Sequence, residues 1–175
     1  NKGTATGAVT GSGSLIVGLV GFNRWSSASN DSFAAVGVQG AYIIGGLVGE
    51  SEGAITGSYA SGDVSSSGLG QTGGLAGYCY GLIQDSYATG TISGDDLVGG
   101  LVGAATYSMC NIYNSYATGP VTAAGDNVGG LVGYRNGGII VSSYYDSDTT
   151  GQSDIGNGEP LTSAEMQLMN SFVDW

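Results

Sequence analysis

The sequence predicts an all-β protein, a parallel and right-handed β-solenoid of about five coils with a short C-terminal capping helix. The first observation is a "GLxG" mark that returns at intervals of 28, 28, 26 and 30 residues. The marks begin at Gly18, Gly46, Gly74, Gly100 and Gly130. The second observation is a related mark inside each interval, in "DSFAAVGV" from Asp31, "GSYASGDV" from Gly57, "DSYATGTI" from Asp85 and "NSYATGPV" from Asn114. A repeat of this length indicates stacked units that bury their apolar faces against one another.

Each repeat is expected to form two or three short strands separated by corners. Segments such as "GAITGSYA" and "GLIQDSYA" are rich in Tyr, Ile and Thr, which favour pleated structure. No interior repeat spaces its apolar residues as a helix would. Glycine pairs at 45–46, 73–74, 99–100 and 129–130 predict sharp corners, because glycine adopts positive φ without a Cβ penalty. Hydrogen bonds should then run between coils, with equivalent residues about 4.8 Å apart.

Equivalent positions of the coils should stack into columns of like side chains. One inward column is predicted at Leu19, Leu47, Leu75, Leu101 and Leu131. An aromatic column is predicted at Phe33, Tyr59, Tyr87, Tyr116 and Tyr144, either buried in the core or facing outward as a binding surface. A further column combines Val64, Ile92 and Val121 with either Val36 or Val38.

The repeats occupy residues 1–145, and residues 146–175 form an acidic loop and a helical C-terminal cap. "LTSAEMQLMNSF" predicts an amphipathic helix, because Thr162 and Glu165 fit a capping box and Met166, Met169 and Phe172 or Val173 follow on one stripe. Such a helix would cover the open edge of the last coil. The opening "GTATGAV" resembles the tail of another repeat, so we expect the N-terminal edge to dock on upstream coils or on another copy of the chain.

Composition excludes several classes of partner. Glycine contributes 35 residues but proline contributes 2, without a Gly-X-Y period, so the glycines indicate turns rather than collagen. The formal net charge is −11, with 14 acidic residues against Lys2, Arg24 and Arg135. This balance disfavours nucleic acid and anionic membranes as partners. No apolar run is long enough to insert into a bilayer.

Two cysteines, Cys79 and Cys110, lie in adjacent repeats. A disulfide between neighbouring coils is expected in a secreted protein, and two buried free thiols are an equally weighted alternative. Two thiols without any histidine do not make a zinc site.

Calcium is the one cofactor for which the sequence offers ligands. The segment "DSDTTGQSDIGN" places Asp146, Asp148, Thr150, Gln152 and Asp154 at alternate positions, which partly resembles an EF-hand loop. An acidic surface loop is the alternative that the composition favours.

The remaining residues do not suggest an enzyme. The chain has no histidine, and adjacent Asp95 and Asp96 are typical of a solvated turn rather than an acid–base pair. Ice binding would need two threonine columns, and only Thr6, Ser61, Thr89 and Thr118 form one. Trp25, Tyr78, Tyr80 and Tyr107 could stack on sugars or pack beneath loops.

The marks "GGLVG" and "SYATG" resemble the GLUG-motif repeats of bacterial surface and secreted proteins, over about Gly18 to Met169. The first unit departs most from that pattern, with "DSFAAVGV" in place of "SYATG". The resemblance implies a secreted or surface β-solenoid used for attachment or as a stalk, and it supplies no catalytic residues.

We therefore expect a structural and adhesive protein outside the cell, either a stalk module of a larger adhesin or a subunit of a self-assembling fibre. Its partners would be other solenoid coils, a host surface or a polysaccharide. The alternative is a carbohydrate-binding or carbohydrate-active solenoid, since this fold also carries lyases and hydrolases.

Overall fold

The computed structural model describes residues 2–106, 109–173 and 175. It confirms an all-β parallel solenoid of about five coils. Within the described residues the strands form one ten-stranded sheet and three five-stranded sheets, and strands of successive coils lie side by side in each. Neighbouring strands from successive coils are therefore parallel and are separated in sequence by one coil, whereas hairpins connect neighbouring strands of an antiparallel sheet.

The ten-stranded sheet is made by the "SYATG" marks and the residues that follow them. Its strands are Thr4–Thr10, Phe33–Gly40, Tyr59–Ala60, Val64–Ser66, Tyr87–Ala88, Ile92–Gly94, Tyr116–Ala117, Val121–Ala123, Tyr144–Asp146 and Glu159–Leu161. The long strand Phe33–Gly40 holds this sheet together, because later coils divide the same stretch into two short strands. Thr4–Thr10 pairs with it along its length, as the tail of a preceding repeat would.

Three further sheets form the other sides of each coil. The first contains Leu15–Val17, Ile43–Gly45, Thr72–Gly73, Val98–Gly99 and Val128–Gly129. The second contains Val20–Asn23, Val48–Ser51, Ala76–Cys79, Val102–Thr106 and Val132–Asn136. The third contains Ala28–Asn30, Ala54–Thr56, Leu82–Gln84, Asn111–Tyr113 and Ile140–Val141.

The core is a set of aliphatic columns along the solenoid axis. The leucine column is fully buried at Leu47, Leu75, Leu101 and Leu131 and half-buried at Leu19, which lies in the first coil. The strand register answers the open question about the valine column: Val38 pairs with Val64, and the column continues through Ile92 and Val121. Val36 is buried too, but it pairs with Gly7.

The glycine pairs are required for a reason other than the predicted one. Gly46 and Gly100 are not among the residues with positive φ, so the expectation of a left-handed corner was wrong. A Cβ atom on Gly46 would lie 2.1 Å from the carbonyl oxygen of Gly74, and one on Gly100 would lie 2.1 Å from that of Gly130. Neighbouring coils therefore approach here more closely than any side chain permits.

A buried serine column joins the coils on one side of the core. Its members are Ser32, Ser58, Ser86, Ser115 and Ser143. The hydroxyl of Ser86 accepts a hydrogen bond from the backbone N–H of Ser58 and donates one to the carbonyl of Gln84. The same pair of bonds recurs at the other members, so each hydroxyl satisfies one buried N–H of the preceding coil.

The last coil is closed by the segment that follows it. Glu159–Leu161 pairs in parallel with Tyr144–Asp146 and covers that strand edge. The ring of Tyr145 is fully buried, and its hydroxyl donates to the carbonyl of Asp154 at 2.7 Å. The Asp154 carboxylate accepts the N–H of Gly130 at 2.8 Å. The strand Glu159–Leu161, the Tyr145 ring and the Asp154 carboxylate thus make the contacts that a further coil would make.

The C-terminal segment departs from the expected continuous helix. The capping box forms, because Thr162 and Glu165 exchange hydrogen bonds between side chain and backbone. The backbone then makes two 3-10 turns, Glu165–Gln167 and Met169–Ser171, separated by Leu168 in an extended conformation. Only a four-residue α-helix, Ser147–Thr150, is present in the described part of the chain. Trp175 and Phe172, which follow the turns, contact Tyr116 and Tyr144 of the aromatic column.

Candidate functional site

The aromatic column lies on the outer face of the ten-stranded sheet. Ser58 and Ala60, on either side of Tyr59, are both buried, so the alternation of side chains directs the tyrosine outward. Phe33, Tyr59, Tyr87 and Tyr116 are half-buried, and Tyr144 is buried by the C-terminal turns. The aromatic column therefore faces outward, and only Tyr144 at its end is buried.

The rings of this column stack face to face. The centroids are 5.2 Å apart between Phe33 and Tyr59, 4.9 Å between Tyr59 and Tyr87, and 4.9 Å between Tyr87 and Tyr116. The corresponding ring planes diverge by 5°, 1° and 3°. Because each face is covered by the next ring, the column presents edges and hydroxyl groups to solvent.

Beside the aromatic column runs a column of corner residues in the left-handed backbone region. They are Asp31, Gly57, Asp85, Asn114 and Ser142, with φ between 45° and 56°. Asp, Asn and Gly tolerate this conformation best, which explains their use in this slot. The Asp85 carboxylate accepts hydrogen bonds from the amide groups of Gln84 at 3.0 Å and Asn114 at 3.1 Å. Asp31 forms an ion pair with Lys2 at 3.2 Å.

A groove opens where the two columns meet the C-terminal segment. It has a volume of about 360 Å³ and is lined by Asp85, Ser86, Tyr87, Asn114, Tyr116 and Trp175. The Trp175 indole N–H donates to the carbonyl of Ser142 at 2.8 Å, and its ring stacks on Phe172 at 4.8 Å. Its side chain remains 52% exposed. This groove is the candidate binding site that the aromatic column offers.

The phenols of the groove are held in their protonated form. Burial, followed by the neighbouring Tyr59, raises the pKa of Tyr87 above its ordinary value. Burial, followed by the neighbouring Tyr87, likewise raises the pKa of Tyr116. An ordinary phenol is already neutral at physiological pH, and these shifts move the pKa further from it, so both hydroxyl groups act as neutral donors and acceptors.

Sequence reasoning did not find Trp175 or the pairing of Asp85 with Asn114. The two polar residues were interpreted as turn residues, which they are. Trp175 lies 33 residues beyond Ser142, whose carbonyl holds its indole. No periodic pattern connects it with the repeats, so only the folded chain could place it there.

The two cysteines form a disulfide between neighbouring coils. Cys79 and Cys110 are both buried, and their Cα atoms are 5.6 Å apart. Cys79 ends the strand Ala76–Cys79, and Cys110 precedes Asn111–Tyr113 in the next coil. The bond therefore joins the end of Ala76–Cys79 to the start of Asn111–Tyr113 in the next coil.

Asp146, the first of the predicted calcium ligands, caps the short helix. Its carboxylate accepts the backbone N–H of Asp148 at 3.0 Å and that of Thr149 at 3.2 Å, at the start of Ser147–Thr150. It also accepts the hydroxyl of Ser163 at 2.7 Å. The Asp148 carboxylate accepts the N–H of Ser163 at 3.0 Å. Both acidic side chains thus hold the C-terminal segment.

The other predicted ligands point to different places. The Thr150 hydroxyl donates to the Asp146 carbonyl, the Gln152 amide donates to the carbonyl of Val121, and Asp154 binds the N–H of Gly130. Across residues 2–106, 109–173 and 175, no group of three or more His, Cys, Asp or Glu could hold a metal ion. The structure uses the loop for closure and does not bring the five ligands together.

The other residues considered from sequence also lie in separate places. Asp96 accepts hydrogen bonds from the side chain and backbone of Asn127, which lowers the pKa of its carboxyl, as in an ordered turn. The rings of Tyr78 and Tyr80 contact each other at 4.6 Å. Trp25 is exposed, and Tyr107 lies outside the described residues.

Comparison with known proteins identifies the repeat. The GLUG motif matches residues 40–65 and 94–122. The chain is also similar to the "Putative Gly-rich membrane protein" of Evansella cellulosilytica, with 46% identity over 82 residues. That stretch is 44% of this chain and 9% of the relative, so this chain corresponds to a small part of that protein. No solved structure matches.

Proposed function

We propose that this chain, which carries the GLUG motif at two stretches and folds as a repetitive β-solenoid, acts outside the cell as a rigid spacer that carries an attachment surface. The observation that carries the proposal is the stacking of about five coils on shared core columns. Such an array acts as a rod, because every coil is fixed by backbone hydrogen bonds to the coil beside it.

The N-terminal edge of the rod is suited to continue the stack. Leu15–Val17, Val20–Asn23 and Ala28–Asn30 each have a strand neighbour on one side alone within the described residues. Leu19 and Val20 are half-buried there, whereas Leu47 and Val48 in the next coil are fully buried. A further coil of the same kind would pair with these strands and bury the same columns. Such a coil would come from a longer chain or from another copy.

The extracellular location rests on two supports. The Cys79–Cys110 disulfide suits an oxidising compartment, where such bonds form and persist. The E. cellulosilytica relative is named as a membrane protein, which fits a role at the cell envelope. None of the helices in the described ranges is long and apolar enough to span a bilayer.

Electron microscopy of the purified chain tests the rod and its edge. Separate particles of single-chain size are expected for a module of a longer stalk, and uniform filaments with an axial repeat of one subunit for a fibre protein. Irregular aggregates, without single particles or uniform filaments, would contradict both forms of the proposal. Antibody labelling of intact and permeabilised native cells tests location, and signal confined to permeabilised cells would contradict an extracellular role.

The proposal is also non-enzymatic. The sequence has no histidine, and Arg24 and Arg135 lie in different coils, which disfavours acid–base cleavage of a sugar by the described residues. Incubation of the chain with polygalacturonate and calcium, followed by a reducing-sugar assay, provides the test. No release is expected, and sustained turnover would establish the carbohydrate-active alternative instead.

A further inference from the structure

The groove beside Trp175 combines a flat aromatic ring with convergent oxygen and amide groups. We propose that it binds uncharged pyranose sugars of a glycan, with Trp175 as the stacking surface and Asp85 and Asn114 as hydrogen-bonding partners. This assignment rests on the proposed attachment role and deepens it by naming the class of ligand. It uses a different set of residues from the exposed aromatics that the sequence suggested.

The arrangement of the rings singles out Trp175. Tyr87 and Tyr116 cover each other's faces at a centroid distance of 4.9 Å, so they offer edges to the groove. Trp175 is tilted by 55° to Tyr116, stands outside the parallel stack and is half-exposed. Phe172 supports its ring at 4.8 Å, and the bond to the Ser142 carbonyl fixes its orientation. The apolar face of a pyranose packs on such a ring with little loss of side-chain entropy, because both partners are rigid.

The polar groups of the groove match a sugar's ring of hydroxyls. The Asp85 carboxylate has about four acceptor sites, and amide groups of Gln84 and Asn114 use two of them. A sugar hydroxyl can donate to a remaining site and accept from the phenol of Tyr87 or Tyr116. These amide bonds also hold the carboxylate in place before a ligand arrives, which lowers the cost of binding.

Charge restricts the class of sugar. Among the described residues that line the groove, Asp85 carries a charge and none is Lys or Arg. The whole chain carries a net charge of −11. An acidic sugar would be repelled by the Asp85 carboxylate and by the negative charge of the chain, so uncharged sugars should bind better. The volume of about 360 Å³ lies at the lower end of small-ligand sites and suits one or two sugar rings.

Tryptophan fluorescence provides the test. The Trp25→Phe variant leaves Trp175 as the reporter, and it would be titrated with cellotetraose, mannotetraose and N-acetylchitotetraose, with tetragalacturonate as the acidic comparison. Saturable binding of at least one uncharged oligosaccharide is expected, with tetragalacturonate weaker. Isothermal titration calorimetry of the unmodified chain would give the reference affinity.

Variants assign the binding to this groove. By calorimetry, Trp175→Ala should weaken binding by at least about tenfold and Asp85→Ala by about fivefold, whereas the matched Trp25→Ala should change nothing, as for truncation of a central contact against a remote one. Absence of binding at about 10 mM sugar, far weaker than typical sites, would overturn the assignment. So would equal affinities of Trp175→Ala and Trp25→Ala, or preference for tetragalacturonate. Electron microscopy of Trp175→Ala should still show the single particles or filaments of the parent, so failure of the sugar site and failure of the spacer are separate results.

Discussion

The interior coils and the C-terminal closure place different residues at equivalent positions. After the aromatic column, four coils have an alanine: Ala34, Ala60, Ala88 and Ala117. The last coil has Tyr145 instead. A Cβ on Gly100 would meet the carbonyl of Gly130, but a Cβ on Gly130 would meet the ring of Tyr145. The ring therefore takes the place that the backbone of a next coil takes elsewhere.

The hydrogen bonds of the interior coils and of the C-terminal closure differ in the same way. Inside the stack, the N–H of Gly100 donates to the carbonyl of Gly129 in the next coil at 3.2 Å. At the end, the N–H of Gly130 donates to the Asp154 carboxylate at 2.8 Å. The comparison teaches that a repeat coil is stable only with a neighbour, and that the closing segment must supply both the bulk and the acceptor of that neighbour.

Tyr145→Ala is the variant with the largest expected effect, and it tests whether the Tyr145 ring closes the stack. It installs the residue that four other coils carry, yet we expect a loss of about 3–5 kcal/mol of unfolding free energy, because no further coil fills the cavity. Urea unfolding followed by circular dichroism would measure the loss. Tyr42→Ala is the control, because its side chain is 56% exposed. A cost below about 1 kcal/mol, typical of tolerated sites, would show that the ring is not the closing element.

Removal of the disulfide tests how much a covalent bond between two neighbouring coils stabilises the fold. The bond spans 31 residues, so the double variant Cys79→Ala/Cys110→Ala should lose roughly 3–4 kcal/mol, mainly through a less restricted unfolded chain. Urea unfolding without reductant would compare it with the parent. The parent in reductant serves as a second measure and should approach the double variant. If the urea midpoint of the parent were the same with and without reductant, the prediction would be contradicted.

Ser86→Ala tests the serine column. The change leaves the buried N–H of Ser58 without its acceptor, for an expected loss of about 1–3 kcal/mol. Ser61→Ala, at an exposed position of the preceding repeat, is the matched control and should be nearly neutral. Thermal unfolding of both variants would decide. Equal melting temperatures would mean that another acceptor replaces the hydroxyl.

Tyr87→Ser should have the smallest effect. The variant removes two stacked contacts, each worth about 0.5–1.5 kcal/mol, from a half-exposed face, so a loss of about 1–2 kcal/mol is expected. The same change at Tyr134, which lies outside the column, sets the baseline for an exposed tyrosine. Urea unfolding would measure both. A loss above about 3 kcal/mol, the cost of an emptied core position, would mean that the column acts as core.

The repeat made most of the fold predictable. Five leucines at intervals of 26 to 30 residues indicated the coil length, and the structure stacks them as one column. The serine before each aromatic residue was equally regular, but regularity alone did not reveal that its hydroxyl binds the preceding coil. Glycine pairs suggested positive φ, whereas close contact between coils is the cause. The repeat pattern therefore identified the equivalent positions, but it did not predict the physical role of the serines and glycines at those positions.

The candidate site was less predictable for a physical reason. Asp85, Asn114, Tyr87 and Tyr116 belong to the repeat, and their columns could be written down from the sequence. Trp175 belongs to a segment that occurs once, and its place depends on contacts with Phe172 and Ser142. Contacts made by a segment that occurs once produce no repeating pattern in the sequence, so the position of Trp175 could not be predicted from it.

The sequence by itself determined the parallel coils, their length and the side chains that stack in each column, because equivalent positions of a solenoid share one environment. Only the tertiary structure decided that the tyrosine column faces outward, that Cys79 and Cys110 are bonded and that Tyr145 and Asp154 close the stack. These features depend on pleat direction and on distances between residues far apart in the chain, which composition and spacing do not encode.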